Sequence, residues 1–106
     1  MSNASIDKDL ADLVQQLSTL RIATPVENPD YGSIEERYRE ASDLQEKALD
    51  KDIDDADKDY LDFSKEMKNV IKAVKEAQQK IEKVAGAIEL AAKVVDIAGK
   101  VVAKLA

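Results

Sequence analysis

The chain has no cysteine, no histidine and no tryptophan. Without cysteine there are no disulfides, no thiolate metal sites and no thiol chemistry. Without histidine, the commonest general base and the commonest zinc ligand are both missing. Catalysis would have to rest on carboxylates, lysine or tyrosine, so the expectation is a non-enzyme with no cofactor, no metal and no small-molecule substrate. Aromatics are scarce at 4%, and there are only three glycines and two prolines. The 44% of apolar residues is therefore mostly Ala, Val, Ile and Leu, and with 36% charged residues this is the composition of a helical chain.

Long apolar runs are also missing. In residues 63–106 the longest stretch without a charge is Val84 to Ile88, far short of the roughly 20 residues a membrane-spanning helix needs. Asp7, Lys8 and Asp9 stand where a secretory signal would carry its apolar segment. A soluble, cytoplasmic protein is expected, and 106 residues suit a single domain.

The net charge of −6 is unevenly spread. Residues 1–62 carry 17 acidic and 7 basic side chains, and residues 63–106 carry 5 and 9. Halves of opposite sign attract, within one chain or between chains. A net acidic chain lacks the uncompensated basic face that nucleic acid requires, so no nucleic-acid partner is expected.

Ile6, Leu10, Leu13, Val14, Leu17 and Leu20 recur at spacings of three and four, predicting a helix over about 5–21. Pro25, Asn28, Pro29 and Gly32 make 22–32 a loop, in which Tyr31 is a candidate exposed anchor. Ser33 with Glu36 reads as a capping box opening a second helix over about 33–50. Its apolar face, Ile34, Tyr38, Ala41, Leu44 and Ala48, is thin.

Seven aspartates fall between Asp50 and Asp62. A calcium loop needs Gly at its sixth position and an acidic residue at its twelfth. Starting from Asp50 these are Asp55 and Leu61; starting from Asp55, Tyr60 fills the sixth. Both registers fail at the turn. The run reads instead as a turn within 50–55 and the acidic start of a helix, capped by Asp54 or Asp55.

From Tyr60 onward the spacing alternates three and four without a slip: Phe63, Met67, Val70, Val74, Ala77, Ile81, Val84, Ile88, Ala91, Val95, Ala98, Val102 and Leu105. This heptad pattern predicts one helix over about 54–105, on the order of 75 Å long if continuous. Beyond residue 84 the apolar face widens, with Val94 and Val101 beside the seam and small residues Ala92 and Gly99 on its other flank.

Two short helices cannot cover such a rod. Three outcomes are open. The helix breaks near Gly86 and folds back into a compact four-helix bundle; the C-terminal segments of several chains pack together; or the segment meets a membrane surface or another protein, with Lys93, Lys100 and Lys104 beside its apolar face. No family motif is matched, and in composition alone the chain is similar to helical pore-forming toxins and to assembly proteins.

The expected architecture is an all-α bundle of two short helices and one long heptad helix. The expected function is helix-mediated association, with itself or with a helical protein, through Ile88, Ala91, Val94, Val95, Ala98, Gly99, Val101, Val102 and Leu105, with Tyr31 as a further contact. The alternative is a membrane-active amphipathic protein.

Overall fold

The apolar stripe of the first helix buries Ile6, Leu10, Leu13, Leu17 and Leu20 almost completely. In the computed structural model, which describes residues 3–105, this helix is α1 (Ile6–Ala23), preceded by a short strand, β1 (Asn3–Ser5). The helix outruns its expected end by two residues. Pro25 still stops it, and the buried Thr24 hydroxyl donates to the Leu20 carbonyl at 2.7 Å, satisfying one of the last-turn acceptors.

The connection to α2 (Tyr31–Lys47) is shorter than expected. Two consecutive turns close it: the Asn28 amide donates to the Pro25 carbonyl and the Tyr31 amide to the Asn28 carbonyl, each at 3.0 Å. The Asn28 side chain accepts from the Asp30 amide, which suits Asn at the head of a turn with Pro next. These turns deliver the chain into helical geometry before Ser33. The expected capping box is therefore not the helix start: Asp30 is the N-cap, without a side-chain cap bond, and Ser33 is exposed in the first turn. Tyr31, expected in the loop, is the first residue of α2 and half-buried.

Asp50 ends the turn after α2 with φ of 60°, a left-handed conformation that Asp tolerates better than most residues. The chain then forms β2 (Asp52–Asp54), which pairs antiparallel with β1, Ala4 opposite Ile53. Next comes α3 (Lys58–Gln79). Its cap is Asp57, whose side chain accepts from the Tyr60 amide at 3.0 Å, a turn later than the expected Asp54 or Asp55. Asp54 serves the preceding turn instead, accepting from the Ala56 amide.

The predicted single helix over 54–105 does not form. The chain leaves helical geometry at Lys80 (φ −137°, ψ 115°), makes a 3-10 turn over Ile81–Lys83, and returns as α4 (Val84–Ala103). A continuous rod would far exceed the 45 Å long axis of the molecule. The break lies before Gly86, which sits inside α4. The balance of energies favours it. The turn gives up a few helical hydrogen bonds, each about 0.5–1.5 kcal/mol net, and leaves Ile81 51% exposed. In return α4 buries Val84, Ala87, Ile88, Ala91, Val94, Val95, Ala98 and Val101, and burying a Val or Ile side chain is worth about 1.5–3 kcal/mol.

The result is an all-α bundle of four helices packed in pairs. α1 and α2 form one hairpin and α3 and α4 the other; α1 lies against α3 and α2 against α4, while α2 and α3 are across the bundle from each other. α1 and α3 run the same way, since the Tyr60 hydroxyl donates to Asp9 at 2.8 Å, both near their helix starts. The link from α2 to α3 must therefore cross the base of the bundle, and the β1–β2 pairing fastens it there.

Gly86 and Gly99 lie inside α4, and a methyl group added at either would meet no atom within 4 Å. Gly86→Ala is expected to raise stability by about 0.5–1 kcal/mol, because glycine loses more backbone freedom in a helix. A urea titration measures this; a loss of stability would mean that α4 does not run through residue 86.

Candidate functional site

α4 supplies most of the expected association residues, and the structure turns most of them inward. Ile88, Ala91, Val94, Val95, Ala98, Val101 and Leu105 are buried in the chain's own core, while Gly99 and Val102 are half-buried. Four of these residues, Val95, Gly99, Val102 and Leu105, also line an open groove between the C-terminal halves of α2 and α4.

The groove follows from small side chains on α4. Gly99 and Ala103 lie there opposite Leu44 and Lys47 of α2. Backbones bearing such residues leave space that no side chain fills. Two adjoining clefts of about 310 and 380 Å³ share Leu44, Lys47 and Gly99. The upper one is rimmed by Glu40, Asp43 and Asp96, the lower one by Lys47 and Lys51. Asp43 and Asp96 are exposed and make no ion pair among the described residues, whereas Glu40 is held by Arg37 on the same helix. The groove thus has an apolar floor, an acidic stretch and a basic end. Sequence pattern showed the small residues but not what they face, and Glu40, Asp43, Leu44 and Lys47 carried no signal of their own beyond the thin apolar face of α2.

The aspartate run has local tasks. Lys104, at the end of α4, lies 2.9 Å from Asp57 and 2.7 Å from Asp59, tying the C-terminal end of α4 to the start of α3. The Lys104 ammonium, then the Tyr60 amide, hold the Asp57 carboxyl below its ordinary range, and Asp59, then Asp57, raise the Lys104 ammonium above its own. The signs give opposite limits. The Asp57 contribution is present at neutral pH and is lost as acid protonates it below the usual carboxylate range; that of Lys104 is lost as pH rises through its raised value. Asp57→Asn, which keeps a cap acceptor but not the charge, is therefore expected to melt between wild type and Asp57→Ala. Equal melting of both variants would assign the whole effect to the charge. Among the described residues no group of three carboxylates is placed to hold a metal ion.

Tyr60 and Phe63 stack one turn apart, ring centroids 6.5 Å. Partial burial, then the Asp9 carboxylate, push the Tyr60 phenol above its ordinary value.

On the outer side of α3, Lys65, Lys68, Lys72 and Lys75 form an exposed stripe, and none makes an ion pair among the described residues. They belong to the basic half of the chain, which opposite charge would pair with the acidic half, within one chain or between chains. Among the described residues, the cross-helix pair on this part of α3 is Glu66 with Lys93, at 3.5 Å.

Among the described residues no helix is long and apolar enough to cross a membrane. No protein-family model, curated protein or solved structure matches the chain. The class that the architecture defines is that of an all-α four-helix bundle.

Proposed function

We propose that the chain is a non-enzymatic interaction module that receives a helical surface of a protein partner in the groove between α2 and α4. The observation that carries this reading is the juxtaposition in one groove of an apolar floor, Leu44, Val95, Val102 and Leu105, with the unpaired carboxylates of Asp43 and Asp96. A desolvated apolar centre inside a charged rim is the anatomy of a protein interface. Association through the C-terminal helix is thereby retained, but through its groove side rather than through the buried seam. The membrane-surface alternative loses its support, because it needed an outward apolar face beside Lys93, Lys100 and Lys104. That face is packed inside, and Lys93 and Lys104 are engaged by Glu66, Asp57 and Asp59.

The test is a photo-crosslinking side chain placed at Gly99, in the groove, or at Gly86, on α4 away from it, in the full chain within cells. Adducts of defined mass, identified by mass spectrometry, are expected at position 99 alone. No adduct there, or the same adducts at both positions, would overturn the reading.

A further inference from the structure

Resting on the groove reading, we infer that the partner is a second copy of this chain, docking the lysine stripe of its α3 over the α2–α4 groove. Three observations converge on it. The first is sign. Lys65, Lys68, Lys72 and Lys75 are exposed and unpaired, and so are the Asp43 and Asp96 carboxylates on the groove rim. Each chain therefore carries both members of a complementary pair and satisfies neither internally.

The second is order along the axis. From its acidic stretch at Asp43 and Asp96 the groove passes to Lys47 and Lys51. The α3 surface runs the matching way, with Asp54, Asp55 and Asp62 outnumbering Lys58 near its start and the four lysines following. The change of sign takes a similar length on both: from Asp43 to Lys47 on α2 is about 6 Å of helix and from Asp62 to Lys65 on α3 about 5 Å. Leu61, 53% exposed, lies at the changeover on α3 and would meet the apolar floor.

The third is placement. α2 and α3 are across the bundle from each other, so the lysine stripe and the groove point away from one another. One chain cannot bring them together, and a two-fold pair cannot use both at once. The contact is heterologous and adds copies head to tail.

Sedimentation equilibrium of the full chain, at low and at high salt, tests this with two variants. One is Lys65→Glu/Lys68→Glu/Lys72→Glu and the other Asp43→Lys/Asp96→Lys, all exposed positions without ion pairs. Wild type is expected to grow in mass with concentration at low salt, without stopping at a dimer, and to return to monomer in high salt, where charge attraction is screened. Each variant alone is expected to associate about tenfold or more weakly, because like charges then face each other. A mixture of the two restores association, since each supplies the face the other has reversed. A monomeric wild type at low salt, or a mixture no better than its components, overturns the proposal. So does binding of monomeric wild type to vesicles of anionic lipid that the α3 variant loses, which would assign the stripe to a membrane surface. Adducts at Gly99 to a different protein would leave the groove reading standing and remove the second copy as its occupant.

Discussion

Phe63→Ala is expected to cost about 3–5 kcal/mol of folding stability. Phe63 is the chain's single phenylalanine, fully buried on α3, and its ring lies beside that of Tyr60. Removing it leaves a void where α3 meets its neighbours, and close-packed surroundings relax only partly to fill it. A domain of this size is stable by about 5–15 kcal/mol, so the variant would lose a large share of that. Urea denaturation followed by helical circular dichroism measures the change. Leu61→Ala, in the same turn but half exposed, is the control and should stay within about 1 kcal/mol of wild type. Equal losses at the two positions would mean that α3 presents a different face to the core.

Val95→Asp is the second large effect, and the structure changes what it reports. From sequence it is a probe of self-association. In the bundle Val95 is 3% exposed, so the substitution places a carboxylate against the core. The cleft it lines holds three carboxylates, Asp96, Asp43 and Glu40, against one cation, Lys47, so its charged surroundings are net repulsive. Lost apolar burial and an unpaired buried charge together are expected to cost about 3–5 kcal/mol. The observable is a lowered thermal midpoint at every protein concentration. If the variant melted like wild type and differed only in solution mass, the inward packing of α4 would be refuted. Gly99 is the better place to probe association, because a side chain added there has room.

Much of the fold was legible because its periodicity is strong. The α1 stripe is buried at five of the six positions named from spacing, with Val14 partly covered. From Phe63 to Leu105 every heptad position is buried or half-buried except Ile81, which the turn leaves outside. The same regularity hid the turn. Two arms of a hairpin that face one core both need an apolar stripe, and a short 3-10 turn leaves their spacing in phase. Residues 78–83, QQKIEK, contain neither glycine nor proline, so no helix-stopping residue marks the place. The clue was the breadth of the apolar face beyond residue 84, which demands cover on several sides. Gly86, the visible candidate for a break, is tolerated inside α4 because its position is exposed and helical. The groove was less legible still. It arises where Leu44 and Lys47 on one helix lie opposite Gly99 and Ala103 on another, and no single segment records that pairing.

The strap of paired backbone across the base has a consequence for the order in which the molecule assembles. Each hairpin is made of neighbours in sequence and closes quickly, since short loops cost little entropy to close. The pairing of Ala4 with Ile53 joins the beginning of the chain to its middle, and the two strands flank the first hairpin, whose closure brings them together. Refolding should therefore show helix content ahead of any probe on Tyr60, whose hydroxyl reaches Asp9 across the two hairpins. The acidic first hairpin and the more basic second one would then meet as preformed halves, drawn together by charge. Salt would slow that late step while leaving the early ones alone.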